Sequence, residues 1–112
     1  MDALSQTFSA LADPTRRAIL QQLSEGNGAS FTDLARPHDI SRPAVVKHIK
    51  ALERAGLVER TGSPTRPVYQ LSAGALRAPA DWLANYQQFW EGSLDRLDSY
   101  VREVTGQKGG EA

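Results

Sequence analysis

Apolar residues recur along the first part of the chain at the three- and four-residue spacing of amphipathic helices. Asp13 and Pro14 interrupt this spacing, and the pair is typical of a helix start, with Asp as the N-cap and proline in the first turn. The turn residues 25–28 end the second apolar stripe. The pattern therefore predicts two consecutive helices, whose apolar positions are Leu4, Phe8, Leu11, Ile19, Leu20 and Leu23.

Two serine caps predict a short helix, a turn and a longer helix. Ser30 begins a segment similar to a capping box, and its helix is expected to end near Arg36, because the next residue is proline. Ser41 is the N-cap candidate of the longer helix, which is expected to end before Gly56. The inward stripe of this helix has the spacing i, i+4 and i+7 and consists of Val45, Ile49 and Leu52.

After the longer helix the periodicity changes from helix to strand. Residues 57–60 and 68–71 each predict a short strand, and the composition of residues 61–67 predicts a loop between them. Pro79 is expected to open a last, long helix over residues 80–104. The apolar positions of this helix approach a heptad repeat and comprise Leu83, Tyr86, Trp90, Leu94, Leu97, Val101 and Val104, with Trp82, Phe89 and Tyr100 beside them.

This order of elements favours one fold class. A short helix, a turn and a capped helix match the helix-turn-helix unit, and a following hairpin makes the winged variant. The length of 112 residues suits one domain. We expect a mainly α protein with a small β-hairpin, in which about five helices and a two-stranded wing form a winged helix-turn-helix domain over residues 1–104. Residues 105–112 are expected to form a flexible tail.

The net charge is zero, but the charges are unevenly distributed. Residues 36–66 contain seven basic and three acidic residues, a net +4, whereas residues 81–112 contain three basic and six acidic residues, a net −3. In a helix-turn-helix unit the second helix enters the major groove with its N-terminal residues. The basic segment is centred on that helix, so double-stranded DNA is the predicted partner. The residues expected to face it are Ser41, Arg42, Pro43, Val46, Lys47, Lys50 and Arg54.

Three segments resemble the ArsR-type winged helix-turn-helix repressors of bacteria. They are residues 10–17 (ALADPTRR), 40–45 (ISRPAV) and 47–58 (KHIKALERAGLV). The late aromatic pattern around Phe89 and Trp90 resembles a cysteine-free branch of that family. The resemblance extends over residues 4 to 104 and implies a homodimer that represses transcription by binding a pseudo-palindromic operator. It also places the residues named above, from Ser41 to Lys50, on the recognition helix.

The wing departs from the family pattern, which usually carries a Gly-Arg pair at the tip. Here Gly62 and Arg66 are separated, and a proline lies between them. Arg66 is the candidate contact to the minor groove or to a phosphate.

A dimer would place two recognition helices about one DNA turn apart, roughly 34 Å. The apolar stripe of the last helix has more large side chains than one winged unit is expected to bury, and a large apolar patch usually marks an interface. The alternative is that this stripe only closes the core of the monomer. The predicted dimer residues are Leu4, Phe8, Leu11, Leu83, Trp90, Leu94, Leu97 and Val101.

A metal sensor is one alternative class. The chain has no cysteine and only two histidines, His38 and His48, so a thiolate site is excluded and zinc would need histidine and carboxylate ligands. We expect His38 to be solvated and His48 to pack or to bond the backbone. No metal and no cofactor are therefore predicted.

Two further classes are disfavoured. For an enzyme, Ser41 and His48 would lie about 10 Å apart along one helix, too far for a nucleophile and its base, and no catalytic residue is predicted. A winged-helix module that binds only proteins would carry an acidic or apolar outer face on the second helix, whereas this face is basic.

No apolar run exceeds three residues, which predicts neither a membrane span nor the core of a signal peptide. We therefore expect a soluble cytoplasmic protein. The sequence indicates no particular small-molecule inducer, and Trp82, Phe89 and Trp90 favour core packing over a ligand pocket.

Overall fold

The computed structural model describes residues 2–106, apart from the side chain of Leu94. Within this range, residues 2–79 form one compact unit and residues 80–106 form a second. The elements in chain order are α1 (Ala3–Leu11), α2 (Pro14–Ser24), α3 (Phe31–Ala35), α4 (Arg42–Arg54), β1 (Val58–Ser63), β2 (Arg66–Leu71), α5 (Arg77–Ala84) and α6 (Gln87–Thr105). The predicted class, mainly α with a small hairpin, is confirmed, with six helices in the described part where about five were expected.

The predicted N-caps are confirmed. The side-chain oxygens of Asp13, Ser30 and Ser41 each accept a hydrogen bond from the backbone N–H three residues further on, at 3.0, 3.1 and 3.2 Å. Each bond satisfies one donor that has no partner inside its helix. These three caps set the starts of α2, α3 and α4, and α3 ends at Ala35, next to the expected end at Arg36.

The core of the first unit lies between α2, α3, α4 and the hairpin. The inward stripe predicted for α4 is buried, with Val45, Ile49 and Leu52 at most 2% exposed. Apolar side chains from the three preceding helices and from both strands join this stripe in one cluster, and removal of this surface from water stabilises the unit. The core consists of Ala10, Ile19, Leu20, Leu23, Leu34, Val45, Ile49, Leu52, Leu57, Val58 and Tyr69.

The hairpin is longer than predicted. β1 and β2 pair antiparallel from Val58 opposite Leu71 to Ser63 opposite Arg66, so only two residues form the turn and the predicted loop 61–67 is wrong. Gly62 makes the close pairing possible, because its φ is +80° and a Cβ there would lie 2.6 Å from the carbonyl oxygen of Arg66.

Pro67 is compatible with this pairing because of the direction of its neighbour. The N–H of Tyr69 donates to the carbonyl of Ala29 at 2.8 Å and therefore points away from β1. Pro67 lies two residues earlier on the same strand, so its nitrogen points the same way and its missing N–H removes no bond to β1. The composition of residues 61–67 does not predict this pairing, because it does not specify which edge of the strand each backbone nitrogen faces.

The predicted single helix over residues 80–104 is also wrong. α5 begins at Arg77, which places Pro79 in the first turn, where a missing N–H has little effect. At its end the N–H groups of Asn85 and Tyr86 donate to the carbonyls of Trp82 and Leu83, each three residues back. Such tight bonds are frequent at helix ends, and α6 starts anew at Gln87.

Two expectations concern the ends of these elements. α6 extends to Thr105, one residue beyond the expected helix end at 104, and Gly106 follows it in the left-handed conformation. The rest of the predicted tail, residues 107–112, lies outside the described residues. No helix in the described part is long and apolar enough to cross a lipid bilayer.

Candidate nucleic-acid interface

The outer face of α4 carries the predicted basic residues. Because Val45, Ile49 and Leu52 are buried, helical periodicity turns Lys47 and Lys50 to the opposite side, and both are exposed. Within residues 2–106, neither ammonium group lies within ion-pair distance of a carboxylate. Their charge is therefore available to a ligand in solution.

The other residues predicted to face DNA occupy different parts of this surface. Val46 is half-buried, so only part of its side chain is available for contact. Arg54 lies in the last turn of α4, with its Nε 3.4 Å from the carbonyl oxygen of Lys50. The exposed members of the predicted set are Ser41, Arg42, Pro43, Lys47, Lys50, Arg54 and Arg66.

The hairpin adds a basic residue that the sequence analysis missed. Arg60 pairs with Tyr69 across the strands, and cross-strand partners point to the same face. Since Tyr69 is buried, Arg60 lies on the face toward the helices, and it lines a cavity of about 40 Å³ together with Val46 and Lys50 of α4. Side chains alternate between the two faces along a strand, and Arg66 lies an odd number of positions from Tyr69, so it belongs to the opposite face. The strand alternation could have indicated this, had the strand register been known.

Arg42, the first residue of α4, stacks on an aromatic ring. Its guanidinium carbon lies 4.4 Å from the centroid of Phe31, the first residue of α3. Phe31 is half-buried and packs against the core. Arg42 was predicted from the sequence as an interface residue and Phe31 was not, because the contact joins two helices on either side of the turn.

The turn between α3 and α4 is anchored to α2. His38 donates its backbone N–H to the carbonyl of Ala35 at 3.0 Å, and its Nε2 lies 2.8 Å from Oε1 of Gln22. His38 is half-buried, so the expectation of a solvated ring is wrong. The bond to Gln22 fixes the turn, and with it the direction in which α4 leaves.

A polar cluster joins α4 to α1 and α2. Arg16 donates from Nε to the carbonyl of Ala10 at 2.6 Å, and its Nη1 lies 3.5 Å from Nδ1 of His48. Asp13 Oδ2 lies 3.8 Å from the same histidine nitrogen. Of the two expectations for His48, packing or a bond to the backbone, the half-buried ring agrees with packing, and its polar neighbours are side chains.

The electrostatics of this cluster centre on Asp13. The pKa of Asp13 lies below its ordinary value, chiefly because the carboxylate accepts the backbone N–H of Arg16, with a smaller effect from the His48 ring. The described residues contain no group of three side chains placed to hold a metal ion. Within the ALADPTRR segment, Asp13 therefore caps α2, and Arg16 connects α2 to α1 and α4.

The predicted dimer residues differ in exposure. Leu4 and Leu11 are half-buried, and Leu11 packs against the core of the first unit. On α6, Trp90, Leu97 and Val101 are 36%, 57% and 47% exposed. Phe8 and Leu83 are also exposed, and the side chain of Leu94 lies outside the described residues.

A short helix, an anchored turn and a capped basic helix, followed by an antiparallel hairpin, define the winged helix-turn-helix class. The helix-turn-helix domain family matches residues 11–61. Among curated relatives, the HTH-type transcriptional regulator Rv2034 of Mycobacterium tuberculosis is 42% identical over 80% of this chain and 79% of its own. The transcriptional repressor SdpR of Bacillus subtilis is 29% identical over 74% of this chain and 91% of its own.

Solved structures agree with these matches. The crystal structure of the ArsR family transcriptional regulator RHA00566 has a TM-score of 0.72 and 38% identity, and the match covers 80% of this chain and 98% of that chain. The homodimeric winged helix-turn-helix DNA-binding domain of Mb0332 from Mycobacterium bovis has a TM-score of 0.61 and 26% identity, over 78% of this chain and 82% of that one. The chain belongs to the ArsR family of transcriptional regulators.

Proposed function

We propose that this regulator represses transcription as a homodimer that binds a pseudo-palindromic operator in double-stranded DNA. The observation that carries the proposal is the outer face of α4, where Lys47 and Lys50 are exposed and have no carboxylate partner within residues 2–106. Support for repression and for a dimer comes from SdpR, named a transcriptional repressor, and from the Mb0332 domain, described as homodimeric and DNA-binding.

The residues of the interface divide into two roles. Lys47 and Lys50 are compact charges suited to phosphate, and the hydroxyl of Ser41, whose oxygen caps the exposed start of α4, can donate its proton to the same ligand. Arg42 has a planar fork that can reach both acceptors of a guanine. The phosphate contacts supply affinity, while base contacts supply sequence preference. Pro43, Val46 and Arg54 would border this surface, and Arg60 and Arg66 would contact DNA from the wing.

The dimer is proposed to form through the terminal helices. At 100° per residue, the exposed apolar residues of α6 fall within about 120° of one another around the helix, which gives one apolar side. A second copy of the chain is the partner that would cover this side while placing a second α4 on the same duplex. The proposed interface comprises Leu4, Phe8, Leu11, Leu83, Trp90, Leu94, Leu97 and Val101.

The proposal includes no catalytic step, metal or cofactor. The hydroxyl of Ser41 accepts the N–H of Ala44, and the His48 ring faces Asp13 and Arg16, so each has a structural contact of its own. A regulator that binds an operator acts where the DNA is, so we place it in the cytoplasm.

Binding to duplex DNA at several salt concentrations tests the proposal. If each subunit meets about four phosphates, log affinity should fall against log salt with a slope of about −7. Lys47→Ala and Lys50→Ala should each weaken binding to all duplexes and flatten the slope by about 2, because each subunit of the dimer loses one phosphate contact. Gel-shift titrations at several salt concentrations between about 50 and 200 mM measure both the affinity and the slope.

Arg102→Ala is the matched control. It also removes one positive charge, but Arg102 lies on α6 and is already paired with Asp98. It should leave the affinity and the slope unchanged. Absence of salt-dependent binding to any duplex would overturn the proposal, and equal effects of all three variants would show that α4 is not the contacting face.

A further inference from the structure

The stack of Arg42 on Phe31 has a consequence for base recognition. A guanidinium within about 6 Å of an aromatic centroid is held by attraction to the ring face, and here the distance is 4.4 Å. This contact places the guanidinium carbon over the ring and uses no hydrogen bond to an N or O atom. The guanidinium N–H groups lie in the plane of the group and stay available for hydrogen bonds.

The N–H groups of the Arg42 guanidinium are open to a ligand in the described part of the chain. Among the described residues, no hydrogen bond or ion pair engages the guanidinium of Arg42, although its side chain is exposed. An exposed arginine normally samples many rotamers, and the loss of that freedom opposes binding. An arginine already held against an aromatic ring loses less of that freedom when its fork meets a ligand.

Phe31 is placed to supply such a hold. It opens α3 next to the Ser30 cap, packs against the core and borders the small cavity between α4 and β2. Its ring is therefore fixed by the fold, while one face remains available to Arg42. Arg42 in turn is the first residue of α4, the end of a recognition helix that contacts base edges.

We propose that Phe31 is a positioning residue for sequence recognition, which presents the fork of Arg42 to a guanine in each half of the operator. The guanine acceptors O6 and N7 match that fork in the major groove. The inference rests on the proposed function and adds to it the residue that makes one contact selective. Phe31 itself touches no base.

Selection from a random duplex library tests this, with the retained DNA sequenced for each variant. The wild-type protein should select guanine at one position of each half-site. Arg42→Ala should lower that preference about tenfold or more. Phe31→Leu keeps an apolar side chain but removes the ring, and it should lower the preference at the same position about twofold to fivefold. The other positions and the salt slope should not change.

Phe31→Tyr is the matched control, since it keeps the ring face and should retain the guanine preference. A merely structural role for Phe31 would instead weaken all positions together. The Arg42 side-chain protons in the free wild-type protein give a second measurement that does not depend on the fold of a variant. The ring should shift their NMR signals upfield of unstacked values.

Three results would overturn the inference. They are full guanine preference in a folded Phe31→Leu protein, unchanged preference in Arg42→Ala, and unshifted Arg42 protons in the wild-type protein. In each case duplex binding by the wild-type protein would still support the proposed function. If the wild-type protein retains no duplex at all, the proposed function fails, and this inference fails with it.

Discussion

Asp13 shows how one side chain can serve both a helix and its neighbours. Its carboxylate accepts the N–H of Arg16 at 3.0 Å and so begins α2. The same carboxylate lies 3.8 Å from the His48 ring of α4. The cap is a contact between close neighbours in sequence, whereas the approach to His48 requires α2 and α4 to be packed together. The orientation of the recognition helix therefore depends partly on a residue outside the helix-turn-helix unit.

Substitution of Asp13 separates these two contributions. Asp13→Ala removes the cap and should lower the free energy of unfolding by about 1 kcal/mol. Asp13→Asn is the control, because Asn is an equally good N-cap and only the charge is lost. It should lower the free energy of unfolding less than Asp13→Ala does. Urea unfolding at neutral pH measures both, and equal losses would show that the charge, not the cap, dominates.

The pH dependence of stability has a definite sign at Asp13. Its pKa is lower in the folded chain than its ordinary value of 3.8, so the unfolded chain binds the proton more tightly. The stabilisation from the ionised carboxylate is therefore complete above that value and is lost as the pH falls through the lowered folded pKa. The difference between wild type and Asp13→Asn should shrink over that acid range.

The contacts of single residues were predictable where they are local. Ser41 was identified as a cap and Lys47 and Lys50 as outward residues, because each depends on positions three or four residues away. The stack of Arg42 on Phe31 and the position of Arg60 beside α4 were not predicted. Both depend on how separate elements approach each other, which a periodic pattern in the chain does not specify.

The same division holds for whole elements. The starts of α2, α3 and α4 were predicted because a cap is a short-range signal. The strand residues 61–63 and 66–67 were not, since Gly62 and Pro67 are typical of loops and are compatible with pairing only through their backbone geometry. The break after α5 was also missed, because no proline or glycine marks it and the apolar spacing continues across it.

The wing gives a prediction at this scale. Gly62→Ala should open the tip of the hairpin, because a Cβ at φ +80° would lie 2.6 Å from the backbone carbonyl of Arg66. Gly74→Ala is the control, since Gly74 has φ +76° but nothing within 4 Å of the added Cβ. The positive φ alone should cost each variant about 1–2 kcal/mol. Faster amide exchange in residues 61–68 should occur only in Gly62→Ala.

The difference between Gly62→Ala and Gly74→Ala separates the effect of the short distance from Cβ to the Arg66 carbonyl from the effect of the positive φ. DNA affinity should fall in Gly62→Ala, since Arg60 and Arg66 would lose their fixed positions, and it should hold in Gly74→Ala. Unchanged exchange protection in the wing of Gly62→Ala would contradict the account of how the hairpin closes.

Across the molecule, charge and apolar surface are segregated. The basic residues concentrate between Arg36 and Arg66, with a net charge of +4, while residues 81–112 carry a net −3. The exposed apolar side chains concentrate on the later helices, where Leu97, Val101 and Val104 are 57%, 47% and 65% exposed. An apolar side of this kind is usually covered by a partner. Because residues 81–112 have a net negative charge, they would repel DNA. A second copy of the chain is therefore a better partner for the apolar side than nucleic acid is.

Substitution of Leu97 tests this arrangement of the whole assembly. Leu97→Glu places a charge on the proposed interface, and because Leu97 is already 57% exposed, the monomer should still fold. Light scattering should report half the mass of the wild-type dimer. DNA affinity should fall, and the slope of log affinity against log salt should drop to about half, because a single subunit meets half the phosphates. Ser99→Glu adds the same charge about 200° around α6 and should remain a dimer with wild-type affinity. A dimer that survives Leu97→Glu would move the interface to another surface.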